Sequence, residues 1–89
     1  MSILQRVKVI KMVTLYTKPS CVQCNATKRA LAKAGLQWEE IDLTVDADAL
    51  EMVKELGYQS VPVVITDSDN WSGFRPDKIK TLTKIKATV

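Results

Sequence analysis

The tightest constraint in this 89-residue chain is that its two cysteines, Cys21 and Cys24, stand together between a strand-like run and a helix-like run. Val13-Thr14-Leu15-Tyr16 is β-branched and aromatic, with apolar residues on both faces, as in a central strand covered on two sides. Pro19 stops it. A helix is predicted from about Cys21 to Ala34. Ser20 is the expected N-cap, with Gln23 three places on completing a capping-box pattern. Ala26, Ala30, Leu31 and Ala34 form the apolar stripe, and Gly35 the C-terminal stop. A cysteine pair at such a strand–turn–helix junction is a redox pattern.

The rest of the chain continues the alternation. Trp38 to Leu43 reads as a strand, with Ile41 and Leu43 on one face and Glu40 and Asp42 on the other. A second helix starts at Asp46, buries Ala49, Leu50, Val53 and Leu56, and ends at Gly57. Val61 to Ile65 is a buried strand with Pro62 near its start. Asp67 to Asn70 is a turn, and Trp71 to Phe74 a hairpin partner. Pro76 opens a last helix with Ile79, Leu82, Ile85 and Val89 as its stripe. The order is β-α-β-α-β-β-α, an α/β chain. Its first β-α-β unit implies parallel strands joined by a right-handed crossover. The final hairpin adds antiparallel strands, giving one mixed sheet with helices on both faces. One domain over 1–89 is expected, with 1–11 either extending a strand through Val7 and Val9 or forming an N-terminal extension.

Composition removes several function classes. Hydrophobic residues are 46% of the chain, enough for a core and too many for a disordered protein. No run of about 18 apolar residues is present, so no membrane span is expected. The first residues lack a signal-peptide pattern, which points to a reducing cytoplasm. The net charge of +3 is too small and scattered to argue for nucleic acid. Lys78, Lys80, Lys84 and Lys86 fit the wet face of a helix.

At the first turn of a helix, unpaired N–H groups and the helix dipole stabilise a negative sulfur, so Cys21 is the expected nucleophile. Lys18 adds positive charge if its side chain turns inward. Cys24, almost one turn deeper, is expected to resolve the mixed disulfide. The chain has no histidine, and the strand before the motif has no carboxylate, so no proton acceptor for Cys24 is evident. Three duller readings compete. A structural disulfide would close a very short loop, where entropic stabilisation is smallest. A zinc site needs about four ligands, so one chain cannot supply it; only a dimer could share two pairs around zinc or an iron–sulfur cluster. Two inert buried cysteines are the third.

Tyr16-Thr17-Lys18-Pro19-Ser20-Cys21-Val22-Gln23-Cys24 resembles the active-site segment of glutaredoxins. Together with Trp71-Ser72-Gly73-Phe74-Arg75-Pro76-Asp77 it resembles a narrower group, the NrdH-redoxins, over about Met12 to Leu82. The resemblance implies the thioredoxin fold, with four strands and three helices. It implies that Pro62 is a cis-proline facing the dithiol, leaving the Val61 backbone to pair with a partner's extended chain. It implies a monomer without bound cofactor. Electrons would pass from NADPH through thioredoxin reductase to the disulfide of class Ib ribonucleotide reductase. Glutaredoxins that use glutathione typically carry Gly-Gly and acidic residues after the last strand. Ser72-Gly73-Phe74-Arg75-Pro76-Asp77 stands there instead, which argues against a glutathione-dependent enzyme, the leading alternative. Phe74 offers bulk, and an Arg75–Asp77 bond would stiffen the loop. The expected rim around the dithiol is therefore Lys18, Val22, Gln23, Val61, Pro62, Trp71, Ser72, Gly73, Phe74, Arg75 and Asp77. Trp71 and Phe74 are alternatively plugs at the end of the core. Trp38 is expected in the core or at the sheet edge.

Overall fold

The computed structural model describes residues 13–87, and side-chain surroundings as far as Leu82. The strand extension considered around Val7 and Val9, and Val89, lie outside the described residues, and the side chains of Lys84, Ile85 and Lys86 lie outside the described surroundings. The elements are β1 (Val13–Thr17), α1 (Val22–Lys33), β2 (Trp38–Asp42), α2 (Ala47–Glu55), β3 (Val63–Thr66), β4 (Asn70–Ser72) and α3 (Pro76–Ala87). The sheet runs β2-β1-β3-β4. β1 pairs in parallel with β2, in the register Val13↔Trp38 to Thr17↔Asp42. It pairs antiparallel with β3, with Leu15 opposite Val64, and β3 pairs antiparallel with β4. The mixed sheet and the element order are those expected from the sequence.

The period-2 alternation of β1 divides the interior in two. Val13 and Leu15 join Leu31, Val64, Trp71, Ile79 and Leu82 on the side covered by α1 and α3. Tyr16 joins Leu43, Ala49, Val53 and Val63 on the side covered by α2. β1 is thus buried on both faces, as its apolar run requires. Burial of the Tyr16 ring pushes its phenol pKa up, with the Glu39 and Asp46 carboxylates adding to the effect.

Several boundaries move for local reasons. β3 starts two residues later than expected, at Val63: Val61 lies in a bend, and the Val61–Pro62 bond is cis. β4 begins at Asn70 and ends at Ser72, because Gly73 turns the chain away at φ 90°. Leu56, expected in the buried face of α2, is exposed: it is the C-cap residue, and Gly57 at φ 95° reverses the chain. Asp46 caps α2 as expected, accepting from the Ala49 N–H at 3.0 Å. In α1 the deeper residues are Cys24 and Thr27, with Leu31, while the three alanines are only half-buried.

Three aspartates, the half-buried Asp42 and the exposed Asp69 and Asp77, hold their carboxyls below the ordinary range. Asp42 accepts from the Thr44 hydroxyl at 2.6 Å and the Thr44 N–H at 2.8 Å. Asp69 is held down first by Lys78, at 2.8 Å, and then by the Asn70 N–H. Asp77 is held down by Arg75. A depressed carboxyl pKa gives a contribution to stability that is present above the unfolded value of about 3.9 and lost as pH falls through the folded value. The melting temperature is therefore expected to decline below about pH 4. An Asp69→Asn, Asp77→Asn double variant should show a shallower decline, measured by circular dichroism against pH. An unchanged slope would place the acid sensitivity elsewhere.

Candidate active site

Cys21 and Cys24 close a disulfide at the C-terminal end of β1, with Cα atoms 5.2 Å apart. Cys21 is half-buried and Cys24 only 1% exposed, so an incoming group reaches one sulfur and not the other. The expected Ser20 cap is not used. Cys21 itself is the N-cap residue of α1, and its sulfur accepts from the Cys24 N–H at 3.1 Å. Ser20 sits at φ 60°, a left-handed conformation uncommon for a residue with a Cβ. That twist places the next residue, rather than Ser20, at the start of the helix. A sulfur in the capping position faces the unpaired N–H groups of the first turn. No acidic residue stands in that turn to oppose a negative charge. Both effects favour a thiolate at Cys21 once the disulfide opens.

Gln23, released from the capping box, reaches across 51 positions: its Oε1 accepts from the Phe74 N–H at 3.3 Å. The neighbouring Gly73 N–H donates to the Pro62 carbonyl at 2.8 Å. The structure thus brings together the dithiol helix, the cis-proline segment and the Gly73–Phe74 loop. Among the described residues the Val61 N–H and carbonyl have no hydrogen-bond partner. Ser72 Oγ donates to the Ser60 carbonyl at 3.1 Å, and the Tyr58 hydroxyl bonds Asn70 Oδ1, so side chains tie β4 to the segment before Pro62.

The remaining rim residues divide. Val22 is 79% exposed between the cysteines, and Phe74 is 38% exposed. Arg75 and Asp77 form the expected bond, bidentate at 3.2 and 2.9 Å, which raises the Arg75 pKa. Lys18 stays exposed and makes no hydrogen bond to Cys21. Instead it lines a cavity of about 80 Å³ with Lys54, Tyr58, Ser60 and Val61. Trp71 corrects the docking-surface reading: it is 4% exposed and packed among Val13, Leu15, Val64 and Leu82. Its parity in β4 decides this, because side chains alternate and Trp71 faces α1 and α3. Lys78 also departs from a purely wet role. Its ammonium lies 5.7 Å from the Trp71 ring centroid and pairs with Asp69.

Sequence reasoning missed one carboxylate near the motif. Glu40, on β2, accepts from the buried Thr17 hydroxyl at 3.0 Å and from Lys28 at 3.2 Å. Parallel pairing of β1 and β2 brings it there, and no spacing in the sequence signals it. Among the described residues no cluster of three or more His, Cys, Asp or Glu is placed to hold a metal. No helix among them is long and apolar enough to cross a membrane.

A four-stranded mixed sheet with three helices, carrying a cysteine pair at the helix N-terminus after a parallel strand, defines a thiol–disulfide oxidoreductase of thioredoxin fold. The glutaredoxin family model matches residues 13–71. The glutaredoxin-like protein NrdH of Escherichia coli K12 is 44% identical over 70 residues, covering 79% of this chain and 86% of that protein. The NrdH protein of Lactococcus lactis subsp. lactis is 35% identical over 71 residues, covering 80% of this chain and 99% of that protein. The solved structure of E. coli NrdH-redoxin superposes with a TM-score of 0.77 at 44% identity, over 79% of this chain and 92% of that one. The chain belongs to the NrdH glutaredoxin-like proteins of the glutaredoxin family.

Proposed function

We propose that this protein is a dithiol carrier for protein disulfides, reduced by thioredoxin reductase at the expense of NADPH and reducing class Ib ribonucleotide reductase in the cytoplasm. It acts as a single-domain monomer with no bound cofactor. The Cys21 thiolate attacks one sulfur of the client disulfide, forming a mixed disulfide and releasing the client's other sulfur as a thiolate. Cys24 then loses its proton and attacks the Cys21 sulfur, releasing the second client thiolate. The products are the Cys21–Cys24 disulfide and a client dithiol, a net transfer of two electrons. The observation that carries this assignment is the contrast between the two sulfurs: Cys21 half-buried with the Cys24 N–H at 3.1 Å, Cys24 buried.

The choice of a protein client draws support from three features. Among the described residues the Val61 backbone has no hydrogen-bond partner, which suits strand addition by an extended client chain. Val22, between the cysteines, and Phe74, whose N–H is bonded to Gln23 of the dithiol helix, present apolar surface. Arg75 and Asp77 are engaged with each other, and Phe74 stands where smaller residues would leave room for a tripeptide. The relative from E. coli is described as having a thioredoxin-like activity profile.

The test is a coupled assay. NADPH with thioredoxin reductase is expected to reduce the Cys21–Cys24 disulfide and sustain ribonucleotide reductase turnover, followed as NADPH oxidation. Reduction by glutathione with none by the reductase would make the protein a glutathione-dependent glutaredoxin instead.

A further inference from the structure

We propose that Gln23 is a positioning residue for client recognition, its amide oxygen clasping the Gly73–Phe74 loop to the dithiol helix; this rests on the protein-disulfide reading above. Gln23 lies on the exposed side of α1, where a helix needs no particular side chain. Its backbone is nevertheless anchored, because the fully buried Thr27 hydroxyl donates to the Gln23 carbonyl at 2.8 Å. From that anchored point the side chain accepts the Phe74 N–H at 3.3 Å.

The adjacent N–H, on Gly73, is held by the Pro62 carbonyl at 2.8 Å. Two consecutive amides of one loop are therefore held by the two elements that flank the dithiol. Gly73 makes this possible through its φ of 90°, not through lack of space: a Cβ there would meet Gln23 Oε1 at 3.6 Å, an ordinary contact. Remove the Gln23 oxygen, and the loop keeps its bond to Pro62 but loses its bond to α1. Phe74, an exposed apolar residue, is then no longer tied to the helix that carries Val22 and follows Cys21. The sulfur itself keeps its donor, because the Cys24 N–H does not depend on Gln23. The expected signature is weaker client binding with unchanged chemistry.

Gln23→Met removes the acceptor at similar length and keeps the helix. The experiment measures dithiothreitol-driven reduction of insulin at varied insulin concentration, turnover of hydroxyethyl disulfide, and hydrogen exchange of the Phe74 amide by NMR. One hydrogen bond corresponds to about a two- to tenfold change. Q23M should raise KM for insulin within that range, leave kcat and hydroxyethyl disulfide turnover within about twofold, and speed exchange at Phe74. Q23E, which keeps an acceptor oxygen, should restore protection at Phe74. An unchanged KM, an unchanged Phe74 exchange, or an equal loss on hydroxyethyl disulfide would each overturn the role. Failure of thioredoxin reductase to reduce the wild type leaves this test standing, since dithiothreitol supplies the electrons. Failure of the wild type to reduce insulin overturns the protein-disulfide reading and this inference with it.

Discussion

Cys24→Ser is expected to convert the protein from a catalyst into a trap. The variant keeps the accessible sulfur of Cys21 at the helix start, so the first attack on a client disulfide proceeds. It lacks the buried sulfur that would displace the client, so the mixed disulfide accumulates at one client per redoxin. Non-reducing electrophoresis and intact mass should show it, and dithiothreitol should dissolve it. Cys21→Ser should form no such adduct and should reduce protein disulfides only at the uncatalysed background. The asymmetry follows from exposure and hydrogen bonding: a serine at position 21 offers no thiolate, and Cys24 is 1% exposed. Full activity of Cys24→Ser on protein disulfides would sink the two-sulfur mechanism. Adducts formed by Cys21→Ser would reverse the roles.

Trp71→Ala is expected to be the most destabilising substitution among the described aromatic residues. The indole is 4% exposed and packed with Val13, Leu15, Val64, Ile79 and Leu82, and it lies beneath the Lys78 ammonium. Among the described residues its Nε1–H has no hydrogen-bond partner, so truncation forfeits packing and the Lys78 contact but no hydrogen bond. Large-to-small changes of this kind cost about 3–5 kcal/mol. Small domains hold only about 5–15 kcal/mol in total, so much of the margin disappears. Each kcal/mol lowers Tm by about 4–8 °C at this size, and a fall of at least about 12 °C is expected by calorimetry. A variant with unchanged Tm and a raised KM for its partner would instead restore the docking role for this ring.

The sequence revealed the fold through periodicity and punctuation. Val13 to Tyr16, Gly35, Asp46 and Pro76 each act through local sterics or hydrogen bonds, and local rules read them correctly; the alanine stripe marks the helix but not its deepest face, which Cys24, Thr27 and Leu31 supply. The dithiol was legible for the same reason. The misreadings were non-local. Ser20 and Gln23 satisfy a capping pattern on paper, yet the chain twists at Ser20 and gives the cap to sulfur. Gln23 then finds Phe74, which no spacing rule connects to it. Trp71 fits either a docking surface or the core by residue type, and strand parity turns it inward. Glu40 came beside Thr17 only because β1 and β2 pair in parallel. Leu56 matched a helical stripe, but a stripe does not show that the helix has already ended.

The division of the interior by β1 also makes the strand a measuring rod for the active site. Cys21 lies four residues beyond Thr17, while Pro62 hangs from the neighbouring strand, β3. A strand advances about 3.3 Å per residue. Deleting one residue between Val13 and Thr17 would draw the sulfur back by that distance and exchange Leu15 and Tyr16 between the two interiors. Deleting two would return the side chains to their proper sides but leave the sulfur nearly 7 Å short. No length change there preserves both packing and reach. The turn between Thr66 and Asn70, at the opposite end of the sheet, carries no such double constraint. Insertions belong at that end, and a chain of this kind can vary in length there while the distance from strand to sulfur stays fixed.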